Sequence, residues 1–419
     1  MSRIAVVGSG ISGMAAAYLL SQKHDVHLLE RDDRLGGHTH THAIETSRGV
    51  SPIDTGFIVH NDRTYPNLVK LFNKLGVERQ KSDMSFGVSC QKTGFEYSSR
   101  GLSGLFAQKS NWLRWRHYRF LREILRFNRE APKVLDDPAG ATLTLGEWIK
   151  SNDFSADFSR YYLYPMAAAV WSTSLEDIEE FPAVTLVRFF ANHGFLGTNT
   201  HPQWYVVKGG SSQYIAPLTA PYKGRIRLGV QITGVTRSDG AVQVRYANGG
   251  AELFDDIVFA CHGPQAMALL ADATPQEHAV LSGFSTSRNE TVLHSDETLL
   301  PSRANAHASW NYHLGADPCA VTLTYHMNRL QKLPAPEPYC VTLNATDRIR
   351  PHRMLRQMTY FHPLMNLPAI RAQARWREIS GRHHTHFCGA YWFYGFHEDG
   401  LNSAIRVAQS LGVDWRTVA

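Results

Sequence analysis

Cysteine is scarce in this sequence, and long apolar runs are missing. Only 5 of the 419 residues are cysteines, and no two of them have the spacing of a CxxC pair or of metal ligands. An odd and scattered set does not suit a disulfide framework, so we expect a reducing, cytoplasmic compartment. No run of about 18 apolar residues could form a membrane-spanning helix, and the first residues do not resemble a signal peptide.

A strong excess of one charge is also missing. Lys and Arg number 43 against 37 Asp and Glu, which gives a net charge of +6 with the 21 histidines neutral. So small an excess does not identify an anionic partner, and because no nucleic-acid-binding motif accompanies it, we expect no nucleic-acid partner. His38, His40 and His42 alternate, but no carboxylate or cysteine cluster completes a site around them, so we expect no metal.

What the sequence does contain is a glycine-rich turn between a strand and a helix. The β-branched run 4–7 is followed by GSGISG at 8–13, by an Ala/Leu-rich helix, and by a second apolar strand that ends at Glu30. This is GxGxxG in the strand–turn–helix–strand context that dinucleotide binding requires, with the acid 22 residues after Gly8. The alternative is a glycine-rich turn that binds no ligand.

Each residue of the turn has a role in a dinucleotide site. Gly8 allows the tight turn, Gly10 lets a pyrophosphate approach the backbone, and Gly13 lets the helix pack against the strand. The first helical residues, Ile11 and Ser12, place free N–H groups at the positive end of the helix dipole, facing the phosphates. The acid at the end of the second strand would accept hydrogen bonds from ribose hydroxyls.

The residues after this acid carry a family resemblance. An Arg-x-Gly-Gly pattern follows it, and its candidate cofactor-binding residues are Arg31, Arg34, Gly36, Gly37 and His38. The pattern resembles the second fingerprint of the FAD-dependent flavin amine oxidase and phytoene desaturase superfamily. The resemblance implies FAD as the cofactor and an α/β fold, in which a Rossmann-like FAD-binding domain carries an inserted α+β substrate domain.

Two later segments resemble the same superfamily. Thr55, Gly56 and Phe57 resemble the segment that brings a strand to the edge of the isoalloxazine ring. Residues 225–235 read as one strand, and the resemblance implies that Val230 in this strand holds the adenine through its backbone.

The C-terminal stretch resembles the region where a glycine at a helix N-terminus faces the flavin. Gly389 ends a Phe-x-Gly pattern, and Gly400 and Leu401 occupy the expected start of the helix, whose dipole would stabilise the reduced flavin. Glu398 is expected to cap this helix or to orient His397.

Two departures from the superfamily pattern stand in this stretch. The one in front of the flavin weakens the case for amine oxidation, and the one at the ribityl chain removes the acid of the usual ribityl contact. His397 stands where amine oxidases place an aromatic side chain in front of the flavin, and Ala390 and Tyr391 stand where an acid that bonds the ribityl chain is common. The strand 289–296, expected to carry the lysine of amine oxidases, contains none. Since imidazole titrates near neutrality, His397 and His294 are the acid/base candidates.

The resemblance narrows to one bacterial group of FAD-binding proteins associated with fatty acid modification towards furan fatty acids. Segments 325–331 and 339–344, the pair His362-Pro363 and the tail 395–400 carry it. It implies dehydrogenation of a long apolar substrate, a lipid or fatty acyl chain, by hydride transfer to flavin N5. A flavin amine oxidase, an FAD-dependent double-bond isomerase and a flavoprotein partner without turnover stay open. The electron acceptor stays open too: oxygen, a quinone or a protein carrier.

The resemblance also divides the chain. The FAD-binding domain is expected to be discontinuous, with segments 1–75, 203–285 and 380–419. The segments 76–202 and 286–379 would form the substrate-binding domain.

A basic amphipathic helix is predicted within residues 110–131. Leu113, Phe120 and Phe127 fall on one face at helical spacing, and arginines fall on the opposite face. Such a helix either packs its apolar face on the core or rests on an anionic membrane, here the inner face of the cytoplasmic membrane.

Overall fold

The structure is a computed structural model that describes residues 1–137, 143–171, 175–197, 202–315 and 322–418. No helix in this described part is both long enough and apolar enough to span a bilayer.

The strands of the described residues are numbered in chain order. They are β1 Arg3–Val7, β2 Asp25–Leu29, β3 Thr41–Thr46, β4 Gly49–Asp54, β5 Val59–Asn61, β6 Arg79–Lys81, β7 Phe86–Cys90, β8 Phe95–Ser98, β9 Trp204–Val207, β10 Ile226–Arg227, β11 Ile232–Ser238, β12 Ala241–Tyr246, β13 Ala251–Phe254, β14 Asp256–Phe259, β15 Thr286–His294, β16 Trp310–Leu314, β17 Thr322–His326, β18 Cys340–Leu343, β19 Met354–Pro363 and β20 Thr385–Phe387.

The helices are numbered in the same way. They are α1 Ile11–Leu20, α2 Pro66–Lys74, α3 Gly101–Leu105, α4 Trp115–Glu130, α5 Leu145–Ser151, α6 Ala156–Phe158, α7 Tyr164–Trp171, α8 Leu175–Glu179, α9 Ala183–Asn192, α10 Ile215–Thr219, α11 Gly263–Leu269, α12 Pro275–Leu281, α13 Met327–Leu330, α14 Leu367–Ala374, α15 Trp376–Ile379, α16 His397–Ser410 and α17 Trp415–Val418.

A parallel five-stranded sheet contains the glycine-rich turn at its centre. Its order is β10-β2-β1-β14-β20, and every neighbouring pair is parallel. The apolar strands β1 and β14 are almost entirely buried, because helices cover both faces of such a sheet. The predicted Rossmann-like α/β fold is confirmed.

A second sheet of seven strands forms the other half of the molecule. Its order is β19-β15-β18-β17-β16-β7-β8, and all its neighbours are antiparallel except β16 and β7. The strands of this sheet lie in the two segments predicted for the substrate domain, and those of the parallel sheet lie in the three predicted for the FAD domain. The domain boundaries themselves stay a prediction.

The predicted single strand at 225–235 is wrong. The chain forms β10, which pairs with β2, and then β11, which pairs with β12 in a separate three-stranded sheet. Between them Gly229 has a φ of +67°, a left-handed conformation that breaks an extended run.

The predicted helix at 110–131 forms only in part. A 3₁₀ turn covers Lys109–Leu113, and α4 begins after Arg114. Phe120 and Phe127 are buried as predicted, so this helix packs its apolar face on the core. Leu113 lies before the helix and is exposed, contrary to the projection.

Candidate functional site

The glycine-rich turn joins β1 to α1 by close backbone contacts. Gly8 has a φ of +101° and donates its N–H to the Leu29 carbonyl at 2.8 Å. A Cβ on Gly13 would lie 1.8 Å from the Gly8 carbonyl oxygen, so only glycine fits there. Gly10 precedes α1, and no side chain caps this helix end. The first amides of α1, including those of Ile11 and Ser12, therefore stay available for an anion.

A second glycine loop lies against the first. The Gly36 amide donates to the Ser9 carbonyl at 3.0 Å, and a Cβ on Gly37 would lie 3.1 Å from the Gly10 Cα. A Cβ on Gly10 would meet no atom of the described residues within 4 Å. The two loops thus leave a backbone-lined space beside Gly10 of the kind that a pyrophosphate needs.

Charged side chains brace these loops. Glu30 accepts hydrogen bonds from the amides of Ser9 at 2.7 Å and Asp32 at 2.9 Å. Arg34 donates to the Gly37 carbonyl at 2.7 Å, so it holds the second loop in place. Arg31 is exposed and lies 3.5 Å from the Asp32 carboxylate.

Val230 lies beside the acid that ends β2. Its amide donates to the Glu30 carbonyl at 2.8 Å, while the Gly229 amide donates to the Asp32 carbonyl at 3.0 Å. The predicted adenine contact therefore falls in the loop between β10 and β11 rather than in a strand, with the Val230 amide already bonded.

The segment of Thr55, Gly56 and Phe57 crosses the second glycine loop. A Cβ on Gly56 would lie 2.1 Å from the His38 carbonyl oxygen, and the Phe57 amide donates to that oxygen at 2.7 Å. The Phe57 ring stacks on the His397 ring with centroids 3.6 Å apart. The structure thus brings these predicted residues together.

The C-terminal helix packs on the first turn of α1. A Cβ on Gly400 would lie 2.7 Å from Ile11 Cγ2 and 2.9 Å from Ser12 Oγ, which explains the glycine. The Gly389 amide donates to Ser403 Oγ at 2.8 Å and fixes the preceding loop to the same helix. Leu401 is fully buried in this contact. The helix begins at His397, three residues before the predicted start at Gly400.

Glu398 does not cap its own helix, so that expectation is wrong. Its carboxylate accepts hydrogen bonds from the amides of Asn67 at 3.0 Å and Leu68 at 2.8 Å, in the first turn of α2. Burial raises the pKa of Glu398. Asp399 caps α16 instead, by accepting from the Phe396 amide at 2.9 Å.

His397 is held as a neutral imidazole. Its Nε2 lies 3.0 Å from Thr39 Oγ1 and 3.3 Å from the Tyr214 hydroxyl, and those two hydroxyls are hydrogen-bonded to each other. Burial, with a smaller contribution from His60, lowers the pKa of His397 to about 3. It is therefore uncharged at physiological pH and is a weak base.

His294 lies elsewhere. Its Nε2 is 2.7 Å from Thr342 Oγ1, and its Nδ1 accepts from the Asp296 amide at 3.1 Å, so both nitrogens have partners inside the protein. Burial lowers its pKa to about 4. At roughly 3.4 Å per residue, it lies about 17 Å along β15 from Asn289, the residue of this strand that contacts the candidate site. The structure does not bring it to His397.

Sequence reasoning missed much of the wall opposite the glycine loops. The His38 ring has its centroid 5.2 Å from that of His362, 5.1 Å from that of Tyr360 and 6.4 Å from that of His262. Asn289 Nδ2 lies 3.0 Å from His362 Nδ1. Burial lowers the pKa of all three imidazoles, and their mutual proximity lowers that of His38 further, so they too are neutral.

Of the residues that sequence reasoning missed, His262 could have been found from its position in the sequence. His262 follows the carboxyl end of β14, and ligands of open parallel sheets bind at that edge. His362 and Tyr360 reach the site only through the pairing of β19 with β15, and no local pattern predicts that pairing.

The surroundings of four histidines indicate an internal hollow. Burial dominates the pKa values of His38, His262, His362 and His397, so protein surrounds them, yet each residue keeps some accessible surface. Within the described chain, the buried Nε2 of His38 has no protein hydrogen-bond partner. The backbone space beside Gly10, the free amides of α1 and this lined hollow fit an extended dinucleotide with a flat, polar ring system.

Comparisons with known proteins identify the family. Residues 11–287 match the family model described as flavin containing amine oxidoreductase. The flavin-dependent L-tryptophan oxidase RebO of Lentzea aerocolonigenes is 24% identical over 283 residues, which cover 59% of this chain and 54% of that protein. The chain thus matches about half the length of this curated relative.

Solved structures share the fold along almost the whole chain. A conjugated-linoleic-acid-producing fatty acid isomerase from P. acnes superposes with a TM-score of 0.71 at 16% identity, over 98% of this chain and 99% of that one. Cyclohexylamine oxidase from Brevibacterium oxydans superposes with a TM-score of 0.69 at 16% identity, over the same shares. This chain belongs to the flavin-containing amine oxidoreductase family, a class of enzymes, and FAD is its cofactor.

Proposed function

We propose that this enzyme dehydrogenates a long apolar substrate of the fatty acyl type, with FAD as the hydride acceptor. The observation that carries the proposal is the neutrality of the hollow beside the two glycine loops. A wall without charge offers no carboxylate to a protonated amine, and this favours an uncharged substrate.

The wall is neutral because its ionisable side chains are in their uncharged forms. The pKa values of His362 and His397 are lowered to about 4 and about 3, so both rings are uncharged. Burial raises the pKa of Tyr360 to about 12 and also raises that of Tyr214, so both phenols keep their protons.

The buried acids near the hollow are engaged with the backbone. Asp54 accepts from the Ser211 amide at 2.9 Å, while Glu398 and Asp399 accept from first-turn and capping amides of α2 and α16. A protonated amine that leaves water needs a carboxylate or an equivalent partner. These acids are committed to other bonds, which speaks against a cationic substrate.

In the proposed reaction, some residues of this chain bind the cofactor and others accept the proton. Gly10 and Gly37 would hold the pyrophosphate and Glu30 the ribose, and the bound FAD supplies a hydride acceptor at flavin N5. One hydrogen of the substrate would pass to bound FAD with the electron pair of its C–H bond, the neighbouring carbon would lose a proton, and a C=C bond would form. The neutral His397 Nε2, although a weak base, is the candidate acceptor of that proton, with the hydroxyls of Tyr214 and Thr39 beside it to pass the proton on.

Anaerobic stopped-flow on the purified flavoprotein tests the proposal. We expect flavin absorbance near ~450 nm to bleach on mixing with phospholipid-bound or free acyl chains and to persist with polyamines and aromatic amines. Bleaching by amines alone would contradict the neutral-wall argument and return the enzyme to amine oxidation.

Double-bond isomerisation of an acyl chain is a second candidate. The fold similarity to a fatty acid isomerase supports it, and so does the presence of one dinucleotide fingerprint without a second for a nicotinamide. In that case a hydride leaves the substrate and returns to it, so a rearranged product forms without oxygen uptake. Product analysis beside an oxygen electrode separates the two reactions.

A further inference from the structure

Exposed apolar side chains concentrate in one segment of the chain, from Leu102 to Leu125. Leu102, Trp112, Leu113, Trp115 and Leu125 are all exposed, and they account for half of the large hydrophobic side chains found exposed in the described chain. Leu113 is 93% exposed and Trp115 is 71% exposed, so these two project almost freely into solvent. Isolated apolar residues on a surface are ordinary, but a concentrated group marks an interaction site.

A rigid base holds this group together. The Trp112 ring stacks on Phe106 with centroids 3.9 Å apart, and the Tyr118 hydroxyl donates to the Trp112 carbonyl at 2.9 Å. The Phe106 amide donates to the Leu102 carbonyl at 2.9 Å, which places α3 beside the same stack. We call the exposed side chains of Leu102, Trp112, Leu113 and Trp115 the anchor patch.

Cationic side chains surround the anchor patch. Within residues 109–122 they are all exposed, and they are Lys109, Arg114, Arg116, Arg119 and Arg122. Arg116 pairs with Asp157, and Arg119 lies 3.6 Å from Glu123. The Glu123 carboxylate is itself buried and accepts a hydrogen bond from the Ser155 amide at 3.2 Å, so this surface keeps a positive excess.

We propose that the anchor patch and its arginines dock on an anionic lipid bilayer. Trp side chains prefer the boundary between headgroups and acyl chains, and a projecting Leu can enter that boundary. The surrounding cations complement anionic headgroups, each contributing about 1 kcal/mol near such a surface. Charge complementarity favours a bilayer over a second copy of this chain, because a second copy would bring the same positive surface to the contact.

The docking mode is that of a surface anchor. The apolar face of α4 is already buried through Phe120 and Phe127, so the helix is not free to lie in the bilayer. The contact is instead made by the turn before it, at Lys109–Leu113, and by the start of α4. The proposal concerns binding alone and does not depend on which substrate the enzyme oxidises.

Vesicle co-sedimentation of the holoenzyme tests the proposal. Vesicles of phosphatidylglycerol and phosphatidylcholine should bind the protein, and vesicles of phosphatidylcholine alone should not. We expect Arg119→Gln with Arg122→Gln to weaken binding roughly 30-fold, from ~1 kcal/mol for each cation. Leu113→Ser with Trp115→Ser should weaken it by at least roughly tenfold, because less apolar surface enters the bilayer.

Matched variants on another surface serve as controls. Leu253 is 60% exposed on β13, and Leu253→Ser should leave vesicle binding unchanged. Arg245→Gln with Arg353→Gln removes two exposed cations from other regions and should have a much smaller effect. Equal losses in the control and patch variants, or no binding to anionic vesicles, would overturn the proposal. A concentration-dependent dimer abolished by Leu113→Ser, without vesicle binding, would identify an interface between copies instead.

Discussion

The two sides of the hollow are built in opposite ways. The cofactor side consists of two glycine loops within the first 37 residues, and their contacts join residues close in sequence or one strand apart. The histidine side combines His262 after β14, His362 from β19 and His397 from α16, which lie more than one hundred residues apart at the extremes. One side is defined by local spacing, the other by sheet pairing.

This difference determines which substitutions each side of the hollow tolerates. On the cofactor side, a glycine can be required by the protein's own backbone, as at Gly13, or only by the ligand, as at Gly10. On the wall, each imidazole is kept neutral by burial, so its chemistry depends on the packing of several elements together. Substitutions can separate these cases.

The largest effect is expected at Gly13. In Gly13→Ala the new Cβ would lie 1.8 Å from the Gly8 carbonyl oxygen, and backbone on both sides would have to move. We expect loss of more than ~4 kcal/mol of stability, an effect of the size reserved for severe steric disruption, and no bound FAD. Thermal unfolding and flavin absorbance measure both. Gly224→Ala, where a Cβ meets nothing within 4 Å, should behave as wild type.

Gly10→Ala should separate cofactor binding from folding. Its Cβ meets no protein atom within 4 Å, so the apoprotein should unfold at nearly the wild-type temperature. The methyl group would occupy the space beside the α1 amides where the pyrophosphate needs backbone contact, so FAD affinity should fall at least roughly 100-fold. Fluorescence titration of apoprotein with FAD gives the affinity. Wild-type FAD affinity would show that the pyrophosphate lies elsewhere.

A pair of histidine variants examines the wall. His397→Gln removes an imidazole that lines the hollow, and we expect substrate-dependent flavin reduction to slow about 10²-fold, the usual size of lost acid–base assistance. His294 is hydrogen-bonded to Thr342 of the neighbouring strand β18, away from His397. His294→Gln should therefore cost about 1–3 kcal/mol of stability and leave the reduction rate nearly unchanged. FAD content should stay normal in both. The reverse pattern of rates would place the chemistry at His294.

The strand–turn–helix arrangement of the glycine loops could be predicted from the sequence because its requirements are local. A tight turn, a close helix–strand contact and an acid after the second strand each leave a mark at a fixed spacing, from Gly8 to Glu30. Gly400 lies against Ile11 and Ser12, and its helix starts earlier than predicted because Asp399 caps it at Phe396.

The wall could not be predicted in the same way. A strand at 289–296 was expected from the family resemblance, but the register of β15 against β19 decides that Asn289 rather than His294 meets the site. Glu398 sits next to His397 in sequence, yet it serves α2, because two long-range elements happen to meet there. Such roles depend on tertiary pairing, which a single sequence does not encode in any short pattern.

The smallest expected effect is a change in the pH dependence of stability. His362 has its folded-state pKa lowered to about 4, below the ordinary value of 6.5. Between these values the unfolded chain binds a proton that the folded protein does not, so stability falls as the pH drops from 6.5 towards 4. Each such histidine contributes a slope of about 1.4 kcal/mol per pH unit within that window.

His362→Gln should therefore flatten this slope by about one proton, and the exposed His352→Gln serves as the control for the substitution itself. Urea unfolding at several pH values, with the same excess of FAD throughout, gives both slopes. Asp54, whose pKa burial raises to about 6, contributes with the opposite sign but equally in all three proteins, so it cancels from the comparison. An unchanged slope in His362→Gln would mean that His362 takes up its proton in the folded protein, and the hollow would then carry charge on the wall that we interpret as neutral.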